Sequence, residues 1–94
     1  MPKYVIERTV PGAGELDAEA LMAISGKSNE VLHGLGVDIQ WIQSHVVDDK
    51  IFCVYQARDE ELIREHGRCG GFPVDTIHSV HAVIDPATAE SVLL

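Results

Sequence analysis

Basic residues are scarce in this chain. Lys and Arg number 7 against 15 Asp and Glu, for a formal charge of −8 over 94 residues and a pI near 4.8. A phosphate backbone needs a basic footprint and an anionic membrane surface needs a polybasic one, so neither nucleic acid nor membrane is expected as a partner. Cysteine is also sparse. Cys53 and Cys69 make one disulfide at most, and the Met1–Arg8 opening has no signal-peptide core, so reduced thiols and a cytoplasmic location are expected. No run approaches the roughly 18 apolar residues of a membrane span. Zinc-finger spacing, a Gly-rich phosphate loop and a nucleophile elbow are all missing. A metal cation or a small neutral molecule is what the acidic balance leaves as a ligand.

What is present is one domain's worth of chain, 46% hydrophobic, with a clear change of period along it. Lys3–Val10 predicts a strand, broken off by Pro11-Gly12-Ala13-Gly14. Leu21, Ile24, Ser28, Val31 and Leu35 then fall at helical spacing, with Asp17 as N-cap and Gly34 and Gly36 as the stop. Gly26 inside this helix suggests close contact with the sheet beneath. Val37–Val47 and Ile51–Ala57 predict a hairpin around Asp48-Asp49-Lys50. Asp59 caps a second helix, stopped at Gly70-Gly71-Phe72-Pro73, and Thr76–Ile84 reads as a fourth strand. The fold expected is α+β, a ferredoxin-like βαββαβ over residues 1–86 with a C-terminal tail at 87–94. It has a four-stranded antiparallel sheet with both helices on one face. The other face is bare and carries the apolar side chains of Val5, Trp41 and Tyr55, which predicts a homodimer of the dimeric α/β-barrel type with a pocket between the subunits.

Alternation along the strands sorts the candidate residues. If Phe52 and Val54 face the helices, Cys53 and Tyr55 fall on the open face. Val5, Glu7 and Thr9 are expected there too, opposite Tyr4 and Ile6. Glu7, an acid in a central strand, is the residue hardest to explain by packing, since burial without a partner costs several kcal/mol or raises the pKa. The hairpin leaves His45 open: a two-residue turn pairs Ser44 with Cys53 and puts His45 with Phe52, and a three-residue turn pairs His45 with Cys53. His78 and His81 project from opposite faces, and whichever is on the open side is placed to join Glu7. His66 and Cys69 are three apart on a helix, a spacing that binds metal, while a core histidine is the plain alternative for His66.

The stretches Tyr4-Val5-Ile6-Glu7-Arg8-Thr9, Trp41-Ile42-Gln43-Ser44, Asp49–Tyr55 and Glu65-His66 with Gly70-Gly71-Phe72-Pro73 resemble a family of small actinobacterial-type nickel-binding proteins. The resemblance runs from the first strand to Asp85-Pro86. It implies a ferredoxin-like dimer and carries over Glu7, Arg8, Trp41, Ser44, Cys53, Tyr55 and His66. His45, Cys69 and His78 are individual to this chain. The function expected is therefore binding of a divalent transition metal, nickel first, by a cytosolic homodimer. Its candidate ligands are Glu7, His45, Cys53 and His66, and its pocket residues Arg8, Trp41, Ser44 and Tyr55. The alternative is a dimeric enzyme or small-molecule-binding protein with Glu7 as a general base of raised pKa in the inter-subunit pocket.

Overall fold

A computed structural model describes residues 1–90, which form four strands and two helices in the order β-α-β-β-α-β. β1 spans Lys3–Thr9, α1 Ala18–Leu35, β2 Ile39–Val46, β3 Lys50–Ala57, α2 Glu60–Gly70 and β4 Thr76–Ser79. The strands lie in the order β2-β3-β1-β4, every neighbour antiparallel. This is the ferredoxin-like arrangement, with β1 and β3 at the centre. Short 3-10 turns occupy Ala13–Glu15 and Pro86–Glu90. The second of these takes up the start of the expected tail; residues 91–94 lie outside the described residues.

Both helices begin on the caps the sequence offers. The Asp17 carboxylate accepts the Ala20 N–H at 2.8 Å, and the Asp59 carboxylate accepts that of Leu62 at 3.0 Å. Gly71 ends α2 at φ 71°, a left-handed cap that favours glycine. α1 is the more loosely seated helix. Ser28 is its one fully buried residue, Met22 is 74% exposed and Ile24 37%. Gly26 does not mark a contact with the sheet as expected, since a Cβ there would meet open space.

The core is built from Tyr4, Ile6, Ile51, Cys53, Tyr55 and Ala57 of the central strands, with Ile39 and Ile63 beside them. This corrects the expected faces of β3: Phe52 and Val54 look to the open side, and Cys53 and Tyr55 lie under the helices. β3 is apolar on both faces, so alternation alone does not choose between them. The pairing with β1 does, because antiparallel partners share a face. Tyr4 opposes Tyr55, Ile6 opposes Cys53, and Arg8 opposes Ile51. Trp41, expected on the dimer face, likewise opposes Tyr55 and lies on the helix side.

β2 holds an irregularity between Trp41 and Gln43 that inserts Ile42 out of register. It explains why β2 carries apolar residues on both parities. Ile39 and Trp41 face the helices before it, and Ser44 and Val46 face them after it. The hairpin closes on Asp48-Asp49, with the Val47 N–H on the Lys50 carbonyl at 3.0 Å, which pairs Ser44 with Cys53 and His45 with Phe52. β4 stops at Ser79, short of the expected Ile84. Its ladder partner β1 begins at Lys3, whose carbonyl accepts the Val80 N–H at 2.9 Å, while the carbonyl of the preceding Pro2 is taken by the Ala57 N–H of β3 at 3.0 Å. Every residue from His81 to Glu90 is exposed.

Candidate functional site

The chemistry of this chain is divided between the two faces of its sheet. On the open face, Glu7 sits at mid-strand in β1 with its side chain 28% exposed. Its Oε1 lies 3.2 Å from His78 Nε2, and its Oε2 accepts from Lys50 Nζ at 3.3 Å. These two hydrogen bonds, His78 first, hold the Glu7 carboxyl below the ordinary carboxylate range. A general base of raised pKa is thus not what the single chain builds: the partners stabilise the charged form, and burial is too slight to oppose them. His78, not His81, is the histidine that joins Glu7. His45 is on the same face, across Phe52 from Glu7, exposed and 3.2 Å from the Gln43 amide nitrogen.

The helix side is different. Arg8, only 4% exposed, lies among the apolar core residues. Its NH1 donates to the Pro73 carbonyl at 2.7 Å, its NH2 to the Tyr55 hydroxyl at 3.4 Å, and its Nε to Cys53 Sγ at 3.4 Å. The guanidinium also stands 5.9 Å from the Tyr55 ring centre and 5.8 Å from that of Phe72. Among the described residues no carboxylate pairs with it. His66 is 1% exposed, with Nε2 3.1 Å from the Ser28 hydroxyl and Nδ1 buried without a partner. Burial, with the Arg8 charge second, pushes its pKa down to about 4, so the ring is neutral at physiological pH. Burial pushes the Tyr55 phenol up.

Above this cluster, where α1 stands off the sheet, is a cleft of about 220 Å³. Arg8, Trp41, Ser44, Cys53, Tyr55 and His66 all line it, so the four expected pocket residues and two of the four expected ligands meet in one place. That place is within one chain, between helices and sheet. The four candidate ligands do not converge: Glu7 and His45 are on the open face, Cys53 and His66 under the helices. Among the described residues, no three His, Cys, Asp or Glu side chains are grouped to hold an ion within a single chain. His66 and Cys69 part as well. His66 turns inward against Tyr55 and Phe72, while Cys69 is exposed and 3.4 Å from the Glu65 carboxylate.

The Gly70-Gly71-Phe72-Pro73 motif builds one wall of the cleft. A Cβ at Gly70 would overlap the Phe72 ring, so glycine is what lets Phe72 fold back until its ring centre is 5.2 Å from that of His66. Pro73 then presents its carbonyl to Arg8. The sequence reading missed that Arg8 is a core residue. The signal was there, since Arg8 shares the parity of Tyr4 and Ile6, but a charged side chain is the last expected on a buried stripe.

Comparison with known proteins adds a family and a fold. A family model described as nickel responsive protein SCO4226-like matches residues 4–80. The crystal structure of SCO4226 from Streptomyces coelicolor A3(2) superposes with a TM-score of 0.73 at 14% identity, covering 87% of this chain and 99% of that one. No curated protein matches the chain. No helix among the described residues is long and apolar enough to cross a membrane.

Proposed function

The chain belongs to the SCO4226-like nickel-responsive family, and from that premise we propose that it binds nickel, or another divalent transition metal ion, as a cytoplasmic homodimer. The observation that carries this reading is the Glu7–His78 pair, a carboxylate and an imidazole 3.2 Å apart on the sheet face that neither helix covers. Carboxylate and imidazole suit a divalent ion of borderline softness, and nickel ranks above manganese, iron and cobalt for such donors. Two donors from one chain are too few for a stable site. An isologous dimer brings the same patch from both subunits, and so doubles the set to two carboxylates and two imidazoles. The half-buried Val5, Phe52 and Val54 surround the pair with apolar surface that a second copy would cover. His45 stands on the same face as a further imidazole. Cys53 and His66, under the helices, belong to the cleft and are withdrawn from the ligand set.

Calorimetry of protein prepared without a nickel column and stripped by chelator tests this reading. Nickel should bind well below about 1 mM, and Glu7→Gln or His78→Ala should weaken it at least tenfold. Affinity should also fall as pH drops through the ordinary histidine range, because a histidine ligand must be neutral. Binding no tighter than millimolar, or binding indifferent to both substitutions, would overturn it.

A further inference from the structure

We propose that the cleft between α1 and the sheet is a binding site for a small monocarboxylate with a compact apolar body, its carboxylate held by Arg8. Three features of the cleft specify that class. The first is the charge. In a chain of net charge −8, no Asp or Glu lines the cleft, and Arg8 brings a buried guanidinium to it without a carboxylate partner among the described residues. A buried cation is ordinarily paired, because desolvation costs far more than neutral hydrogen bonds return. Arg8 is held by one carbonyl, one phenol oxygen and one thiol, which occupy three of the five N–H donors of a guanidinium. One N–H on each terminal nitrogen is left, and a carboxylate oxygen is the acceptor that best suits such a donor.

The second feature is the orphan. His66 lines the same cleft, and its Nδ1 is buried with no hydrogen-bond partner. In the tautomer that carries its proton on Nδ1, with Nε2 accepting from the Ser28 hydroxyl, the ring offers a second donor to an acceptor oxygen, and a bound carboxylate would select that tautomer. The third is size and polarity. Leu21, Ile24, Val10 and Trp41 give the cleft an apolar wall, and about 220 Å³ exceeds the cavity of about 150 Å³ that takes up benzene in an engineered protein core. A six-membered ring or branched chain of that bulk fits, with room for one carboxylate. Lys27, 5.9 Å from the Phe72 ring centre, adds a second cation close to the cleft wall.

The proposal is independent of metal and of dimerisation, because the cleft is formed within one chain on the opposite side of the sheet from Glu7 and His78. Trp41, the lone tryptophan, lines the cleft and reports on its occupant. Chelator-treated full-length protein is titrated with benzoate, phenylacetate and cyclohexanecarboxylate, and with benzamide as the neutral control, following Trp41 fluorescence and heat. At least one carboxylate should saturate one site per chain with Kd below about 1 mM, and should bind at least tenfold tighter than benzamide. Arg8→Gln should weaken it tenfold or more. Ser25→Phe, which fills the cleft from α1 and leaves Arg8 in place, should abolish it and serves if Arg8→Gln fails to fold. Glu7→Gln should leave it unchanged, which separates this site from the proposed metal site. No saturation by any of the three acids at about 10 mM, equal binding of benzamide, or binding undiminished in Ser25→Phe would overturn the proposal.

Discussion

Glu7 and Arg8 are neighbours in β1 and stand on opposite sides of the sheet. Glu7 reaches His78 and Lys50 on the open face, while Arg8 is enclosed under the helices by Tyr55, Cys53 and the Pro73 carbonyl. The two-residue period of a strand thus assigns an anion to one face and a cation to the other. The open face offers donors for a metal ion. The covered face offers a guanidinium with nothing negative beside it.

Lys50 gives a direct test of the open face. Its ammonium sits 3.3 Å from Glu7 Oε2, where it would compete with a divalent cation for the carboxylate. Lys50→Met should therefore tighten nickel binding by about two- to fivefold, the scale of a solvent-exposed ion pair. Calorimetry of the stripped variant beside the parent measures it. Unchanged affinity would place the ion away from Glu7.

His66 makes a prediction about acid stability. Its pKa in the folded chain is about 4 and the ordinary value 6.5, with burial as the main cause and Arg8 second. Between those values the unfolded chain takes up a proton that the folded chain refuses. The stabilisation is complete above pH 6.5 and is lost as pH falls toward 4, by about 2 kcal/mol at pH 5. Urea denaturation at pH 8 and pH 5 checks the sign. His66→Gln should be less stable than the parent at pH 8, and its stability should fall less between the two pH values. A parent whose stability is flat over this range would contradict a neutral, buried His66.

The element order was legible in the sequence because the caps and breaks are chemically explicit: Asp17, Asp59, Gly36 and Gly71 act where they were expected. Glu7 could be placed on the open face because Tyr4 and Ile6 form an unambiguous apolar parity. β3 was misplaced for the opposite reason. Ile51, Phe52, Cys53, Val54 and Tyr55 are a continuous apolar run, and its facing is decided by pairing with β1, which lies more than forty residues away. Trp41 followed Tyr55 into the same error. The cleft was out of reach altogether, since it exists because α1 stands off the sheet, and that depends on how all the elements pack. Of the residues that resemble the family motifs, Arg8, Trp41, Ser44, Cys53, Tyr55 and His66 share the cleft, and Glu7 lies on the other face.

Gly70 is where local backbone chemistry meets the site. A Cβ at this position would overlap the Phe72 ring, and the neighbouring Gly67 is nearly as crowded, its Cβ falling 2.8 Å from Val74 Cγ2. Gly70→Ala must push Phe72 off His66 and Arg8. Overpacking of this kind costs about 1–3 kcal/mol, more than the up to 1 kcal/mol of helix propensity that alanine regains at a helix end. The variant should lose about 2 kcal/mol in urea denaturation, and Trp41 emission should shift as the cleft wall opens. A gain in stability would mean that Phe72 is free to move aside.

Val54 separates assembly from ligand chemistry on the open face. It lies at the middle of β3, opposite Val5, with Glu7 one row away, and contacts neither Lys50 nor His78 through a hydrogen bond. Val54→Glu leaves every proposed metal donor in place but puts a carboxylate from each subunit into the apolar surface that would meet its copy. A charge buried there without a partner costs several kcal/mol, so the variant should sediment as a monomer at concentrations where the parent sediments as a dimer, with far-ultraviolet circular dichroism unchanged. If nickel is held by donors from two subunits, its affinity should fall at least tenfold with the loss of the dimer. A monomeric Val54→Glu that binds nickel as tightly as the parent would show that one chain supplies the whole site. A parent that is itself monomeric with nickel bound would show the same thing more simply.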